Sequence, residues 1–212
     1  INYGFPLTQN NRFNLVMGYQ HVEIDVLGQH ASNENWTKLA PSLRDFLCRE
    51  GGGLPGAAAG TCNLSTPSVP GMNIKEQFNI FKMTGSWIYN GLNRAYMPTK
   101  GVSNVVNGTI GLPILNNSLP YYQVSDTFRA YLPLWHGFVL NFLSNIAYGG
   151  GYGRLNRLPF FLNYYAGGIG TVPGFQDNAM GPLNANTGSA ALGGNLLTTA
   201  GIHLVLPNFV SD

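Results

Sequence analysis

Six stretches of this 212-residue chain alternate between apolar and polar residues with a period of two. In the first stretch the apolar positions run from Phe13 to Tyr19 on odd numbers and then change parity at Val22. Because successive side chains of a β-strand point to opposite faces, each stretch predicts a strand with one apolar face, and the parity change predicts a β-bulge near His21. The other five apolar series are Phe81 to Tyr89, Val106 to Leu112, Tyr122 to Leu132, Phe138 to Tyr148 and Ala200 to Leu206.

The polar faces of these strands indicate a membrane rather than water as the surrounding solvent. They carry mainly Asn, Ser, Thr and Gly, and charged residues make up only 9% of the chain, against about a quarter in soluble domains. A soluble β-sandwich usually presents Lys and Glu on its outer face. Every apolar run is interrupted before the roughly 18 residues that a membrane helix needs. The pattern therefore predicts an all-β fold, an antiparallel transmembrane β-barrel whose polar face lines the lumen.

The connections between the predicted strands alternate between two edges of the sheet. The two very long ones, 27–73 and 149–195, fall on the same edge. Outer-membrane barrels have short periplasmic turns and long outer loops, so both long loops are expected to be extracellular. Leu39, Leu43, Phe46 and Leu47 recur at helical spacing and predict a short helix within the first of them.

The number of strands indicates that residues 1–212 form a partial barrel domain. Six strands and a truncated one at Ile1 to Leu7 are fewer than the roughly eight strands of the smallest single-chain barrels. Open sheet edges in lipid leave backbone groups unsatisfied. We therefore expect further strands from elsewhere, and a chain cut from a longer precursor.

The sequence predicts no catalytic centre, metal site or cofactor, and hence no enzyme. The four histidines are dispersed, without ligand spacing or a partner Cys or carboxylate. The net charge of +2 comes from scattered residues, so nucleic acid is not an expected partner. Cys48 and Cys62 share the first long loop and are either a disulfide or two free thiols. Arg129 has lumen-facing parity, and either anchors a loop folded into the barrel or is a solvated charge.

The second long loop, read with its flanking residues, carries a family resemblance. The segment Tyr148 to Pro182 reads YGGGYGRLNRLPFFLNYYAGGIGTVPGFQDNAMGP, and it resembles the sixth extracellular loop of the BamA family of outer-membrane-protein assembly factors. Three parts match: the Tyr-Gly-rich start, the block from Pro159 to Gly168, which begins with Pro-Phe and ends with Gly-Gly, and the Val-x-Gly-Phe motif. YNGLNRAYMPTKG, Tyr89 to Gly101, resembles a periplasmic turn of that family, and Gly193 to Pro207 resembles the strand after the sixth loop.

The resemblance implies a barrel segment of the bacterial outer membrane that serves in a machine for folding and inserting other β-barrels. In the family a sixteen-stranded barrel opens a seam between its first and last strands, and this chain would correspond to roughly the sixth to twelfth strands. The implied partners are unfolded outer-membrane β-barrel proteins, membrane lipid, and accessory lipoproteins reached through periplasmic domains absent from this sequence. The alternatives are a partner-secretion transporter of the same superfamily and a passive porin-like barrel.

The resemblance also implies site residues in the second long loop, which folds into the lumen as a lid. The lid motif is Val172, Pro173, Gly174 and Phe175, preceded by Gly167 and Gly168. The glycines, with Gly170, are expected to permit positive φ angles. Phe160, Phe161, Tyr164, Tyr165 and Phe175 are expected to fill the space between the lid and the wall.

One position of the motif departs from the family. The family has an Arg that anchors the loop to an acidic residue on the inner wall, and this chain has Pro173. Proline has neither a charge nor a donor, so the charged contact cannot be made in the same way. If the lid docks as in the family, Pro173→Arg in the complete protein is expected to improve barrel stability or assembly activity.

Overall fold

A computed structural model of the chain describes residues 1–26, 46, 74–115, 117–184 and 191–207. These residues form one antiparallel sheet of seven strands, paired in chain order. The strands are β1 (Asn2–Pro6), β2 (Asn11–Val26), β3 (Ile74–Asn90), β4 (Gly101–Leu112), β5 (Tyr121–Pro133), β6 (Val139–Gly151) and β7 (Leu196–Val205). The six stretches of alternation and the truncated strand at the start are thereby confirmed as strands.

The register of β2 against β3 runs without interruption, from Asn11 opposite Tyr89 to Val26 opposite Ile74. The prediction of a bulge near His21 is therefore wrong. The apolar parity changes because the composition of the inner face changes. Val22 and Ile24 lie on that face, near the end of β2, and pack against a buried hydrophobic cluster. Nearer the start of β2 the inner face is mainly polar.

The two faces of the sheet differ as the alternation predicts. On the inner face, hydroxyl and amide side chains pair across neighbouring strands: Thr84 with Thr109 at 2.9 Å between Oγ1 atoms, and Asn107 with Ser125 at 3.4 Å from Nδ2 to Oγ. The outer face carries exposed apolar side chains, among them Met17, Trp87 and Val124. This is the arrangement of a transmembrane barrel wall with a polar lumen.

The sequence pattern predicts an outer face that is apolar throughout, but two polar residues interrupt it. Asp126 occupies an outward position near the middle of β5, directly opposite Val106 on β4 and Ile146 on β6. Asn104 is outward as well, two residues along β4 from Val106. The Oδ1 atoms of Asp126 and Asn104 are buried and accept no hydrogen bond from any described residue. Both residues interrupt the apolar surface.

The sheet is open, because β1 and β7 are not paired with each other. Its connections include single 3₁₀ turns at Trp135–Gly137 and at Phe160–Leu162. Phe46, the one described residue of the first long loop, is in helical conformation, and the rest of the helix predicted there lies outside the described residues. Among those residues, no helix is long and apolar enough to cross a membrane.

Replacing the outward carboxylate should stabilise the barrel. Polar and charged side chains on a lipid-facing position within the hydrocarbon layer are destabilising, so Asp126→Val in the complete barrel is expected to raise the free energy of unfolding by about 1 kcal/mol. The measurement is a urea titration of folding into lipid vesicles. The inward neighbour provides the control, since Thr127→Val should change stability by less than about 0.5 kcal/mol. An unchanged or lower stability of Asp126→Val would contradict the assignment of that face to lipid.

Candidate functional site

The second long loop leaves the wall at the glycines that end β6. A Cβ atom at Gly151 would lie 2.3 Å from the carbonyl oxygen of Leu155 and 2.7 Å from that of Arg157. A Cβ atom at Gly149 would lie 3.0 Å from the Leu158 side chain. Only glycine permits this approach, so the loop turns back directly over the strand end instead of extending into solvent.

Beyond this turn the loop packs onto an apolar patch of the inner wall. The wall and the segment before β5 contribute Phe78, Ile80, Leu119 and Tyr121, which are at most 2% exposed, and the loop contributes Leu155 and Leu158. Together with Phe46 these residues form one cluster, which we call the lid core. Burial of one large apolar side chain contributes about 1.5–3 kcal/mol, so the lid core is the main attachment of the loop to the wall.

Phe46 brings the first long loop into the same cluster. Its ring centroid lies 5.4 Å from that of Phe78 on β3, 5.7 Å from Phe160 and 6.1 Å from Phe161. Two of these pairs are edge-to-face, a geometry that adds about 0.5–1.5 kcal/mol to the gain from area alone. One aromatic side chain therefore joins both long loops and the wall.

Polar contacts secure the base of the lid. The Nε2 of Gln123, on the inner face of β5, donates to the carbonyl oxygen of Leu162 at 3.1 Å. The Tyr152 hydroxyl donates to the carbonyl oxygen of Gly111 at 2.6 Å, and Arg154 Nη2 donates to that of Ser118 at 2.5 Å. Each contact satisfies a backbone acceptor near the lid core, which would otherwise carry a desolvation cost.

The lid then returns towards β7 through a backbone pair. Tyr164 and Gly194 exchange two hydrogen bonds, of 2.8 and 2.9 Å. Burial raises the pKa of the Tyr164 hydroxyl above its ordinary value, and its hydrogen bond with Gln123 acts in the opposite direction.

The lid motif forms a small hairpin at the tip. Gly168 N donates to the Phe175 carbonyl oxygen at 3.1 Å, and Val172 N donates to the Gly168 carbonyl oxygen at 2.9 Å. Gly167, Gly168 and Gly174 have φ angles of +119°, +86° and +94°. The glycines were expected to permit positive φ angles, and these three adopt them, whereas Gly170 lies outside the positive-φ residues.

The tip is exposed rather than packed on the wall. Phe175 is 56% exposed and Ile169 is 92% exposed. The expectation that Phe175 fills the space between lid and wall is therefore wrong, while Phe160, Phe161 and Tyr164 do pack against the lid core. The lid is attached at its base and free at its tip.

Pro173 lies on a cavity of about 320 Å³ between the tip and the inner faces of β6 and β7. The wall residues that line it include Leu143, Thr199, Gly201 and His203, and no lining residue is a carboxylate. An arginine at position 173 would consequently have no acidic partner among the residues that surround this cavity.

Arg129 is placed as its parity predicts, on the inner face between Ser103 and Leu143. It is exposed, and the structure gives it no hydrogen bond or ion pair with the described part of the lid. Gln123, which has the same parity on the same strand, makes the contact instead. Parity alone does not indicate which inward residue of a strand meets a loop.

Cys48 and Cys62, which were expected to be either a disulfide or two free thiols, lie outside the described residues.

No group of His, Cys, Asp or Glu able to hold a metal ion occurs within the described ranges. The chemistry that the site offers there is packing and hydrogen bonding. An open antiparallel sheet with an apolar outer face, a polar inner face and a long loop packed inside defines the wall of an outer-membrane β-barrel with an internal lid.

Comparison with known proteins assigns the family. The Omp85 superfamily domain matches residues 1–212, and the chain belongs to this superfamily of the bacterial outer membrane. It is 27% identical over 196 residues to the outer membrane protein assembly factor BamA of Neisseria meningitidis serogroup B, a match that covers 91% of this chain and 22% of that protein. The crystal structure of BamA from Haemophilus ducreyi lacking POTRA domains 1–3 is similar with a TM-score of 0.71 at 27% identity. All of this chain and 37% of that one are covered, so the chain spans well under half of both relatives.

Removing the aromatic junction should loosen the base of the lid. Phe46→Ala deletes a ring that contacts three others, a change that costs about 3–5 kcal/mol in a packed core. We expect trypsin to cleave after Arg154 and Arg157 at least about a hundred times faster in the detergent-solubilised complete protein, because cleavage there needs local opening and the lost packing favours the open state. Ile169→Ala, at an exposed position of the tip, is the control and should leave the rate unchanged. Equal rates for the two variants would show that Phe46 does not hold the lid.

The composition of the cavity changes the expectation for Pro173→Arg. The single substitution should bring no gain, since the cavity offers no carboxylate. Combined with Gly201→Asp, which places an acid on the inner wall of β7, it should show a favourable coupling of about 1–3 kcal/mol in a double-mutant cycle. The measurement is the temperature at which the folded barrel loses its faster migration in electrophoresis. Gly201→Asn is the matched uncharged control, and equal coupling with Asn would rule out an ion pair.

Proposed function

We propose that this chain is the wall and lid portion of a machine that folds β-barrel proteins and inserts them into the outer membrane. The observation that supports it most strongly is the long loop packed by its base, Leu155 to Tyr164, onto an apolar patch inside the barrel wall. A lumen that only conducts solutes has no need of an apolar patch on its inner face, whereas a lid that must remain docked does. Family membership supports the same assignment.

The proposed role of the wall is mechanical and involves no bond chemistry. The ladder from β2 to β6 pairs continuously over 10 to 16 residues at each interface, which makes it the rigid part of the barrel. Substrate strands would add by edge pairing at a seam elsewhere in the complete protein. The lid, fixed by its base and free at its tip, would close the outer mouth while the seam opens.

The proposed partners follow from this role. Unfolded outer-membrane β-barrel proteins would be the substrates, and membrane lipid would contact the apolar outer face. Accessory lipoproteins of the assembly machine would be reached through periplasmic domains outside this sequence. No metal, nucleotide or other cofactor enters the proposed mechanism, and the protein would be a folding catalyst and not an enzyme.

The test is an assembly assay with a variant that undocks the lid. The complete protein, with its accessory subunits, is reconstituted into vesicles, and the folding rate of a urea-denatured outer-membrane barrel is measured. Leu158→Asp places a carboxylate in the lid core, where Leu158 is 7% exposed, so we expect the rate to fall about tenfold or more. Phe175→Asp, at an exposed position of the lid, is the matched control and should keep at least half of the rate.

A folding control and two alternative outcomes complete the test. The variant barrels must still migrate as folded species in electrophoresis, so that lost activity reports an undocked lid and not a lost barrel. If the unaltered protein gives no acceleration but a steady ion conductance, a passive pore would replace the proposal. If it transports a cognate passenger protein across the vesicle without inserting barrels, it would be a secretion transporter of the same superfamily.

A further inference from the structure

The connection between β3 and β4, at the edge of the sheet opposite the long loops, is a projecting hairpin and not a loose turn. The register of the two strands continues past their ends, with Gly91 N donating to the Val102 carbonyl oxygen at 2.9 Å and Asn93 N to that of Lys100 at 3.0 Å. Only the six residues 94–99 lie beyond the last pair.

Asn93 fixes the conformation of these six residues. Its Oδ1 accepts from the backbone N–H groups of Thr99 and Lys100, at 3.1 Å each, and its Nδ2 donates to Thr99 Oγ1 at 2.9 Å. Arg94 Nη2 donates to the same Thr99 hydroxyl at 3.3 Å. The loop is thus ordered before any partner binds, which lowers the entropy cost of binding.

The apex of the hairpin presents two large apolar side chains to water. Tyr96 is 79% exposed and Met97 is 66% exposed. Met97 also has a φ of +46°, in the left-handed region that is unfavourable for a non-glycine residue. Exposed apolar groups presented on an ordered and strained turn are typical of a binding contact.

The charge around the apex has one sign. Arg94 and Lys100 flank it, and Arg12 lies beside the neighbouring turn between β1 and β2 at the same edge. Within the described ranges no Asp or Glu lies at this edge of the sheet. A partner that approaches the apex therefore meets only cationic groups, and an acidic surface complements them.

The reach of the hairpin distinguishes a protein partner from lipid headgroups. Asn93 is three residues beyond the end of β3, about 10 Å at 3.4 Å per residue, or about 8 Å along the membrane normal for a strand tilted by about 40°. The headgroup layer is only about 5–7 Å thick on each side of the bilayer. Trp87 and Tyr89, stacked on the outer face of β3, suit the interface itself. The apex extends past the headgroups.

We propose that residues 94–100, which we call the β3–β4 knob, dock a protein surface that has an apolar pocket for Tyr96 and Met97 and acidic residues around it. The two apolar side chains would supply the anchor. Arg94 and Lys100 would supply orientation and the dependence of association on ionic strength. This docking contact lies on the periplasmic side of the membrane and is separate from the lid.

The test is photo-cross-linking from the apex of the full-length protein in its own membrane. Tyr96 is replaced by p-benzoylphenylalanine, and the adduct is identified by mass spectrometry together with the peptide that it joins. We expect a protein adduct at a peptide rich in Asp and Glu, in another chain or elsewhere in this polypeptide. Its yield should fall at least fivefold in the double variant Arg94→Glu/Lys100→Glu.

The matched control is Lys82→Glu/Arg129→Glu, which changes the net charge equally but on the inner wall, and it should leave the yield unchanged. Electrophoretic migration verifies that each barrel is folded. An adduct with phospholipid, a basic or neutral contact peptide, or equal loss of yield in the two double variants would overturn the proposal. So would the absence of a protein adduct from position 96 when the same probe at Trp135 gives one.

Discussion

Everything in this structure depends on one constraint, that a backbone crossing lipid must satisfy its own hydrogen bonds. The ladder between β2 and β3 meets it with sixteen consecutive residue pairs and no bulge. An uninterrupted register also fixes which side chains face inward, because a slip of one residue would move every side chain to the other face. The lumen lining, the attachment of the lid and the apolar outer surface all follow from this one register. Asp126 and Asn104 depart from the pattern of side chains, but the ladder is unbroken at their positions.

The fold was largely accessible from the sequence, since alternation with a period of two is the direct consequence of strand geometry. Six strands were located from it, and a truncated seventh strand was expected at Ile1 to Leu7. The error near His21 arose because alternation was interpreted as if the inner face had one composition along its whole length. Where the lid packs, that face is apolar, so Val22 and Ile24 follow the pattern of an interior and not of a lumen. No local signal distinguishes this from a bulge, because the cause is a segment more than a hundred residues away in the chain.

The site was less accessible, and for a related reason. The motif and its glycines marked the lid, but they did not show that its base would be docked and its tip exposed. Phe175 and Phe160 look equivalent in sequence, yet Phe175 is exposed while Phe160 packs against the lid core. Gln123 and Arg129 have the same parity on one strand, and only Gln123 bonds to the lid. Which of two such residues makes the contact is decided by the path of the loop, which depends on long-range packing.

Phe46 couples the first long loop to the base of the lid. Because its ring is enclosed by residues of the wall and of the lid, the base of the lid cannot leave the wall without exposing aromatic surface at Phe46. Phe46, the base of the lid and the wall beneath them therefore form one cooperative unit of the kind that opens as a whole in hydrogen exchange. A change at residue 46 would therefore alter how readily the lid moves, although this residue lies more than a hundred positions before the base of the lid in the chain.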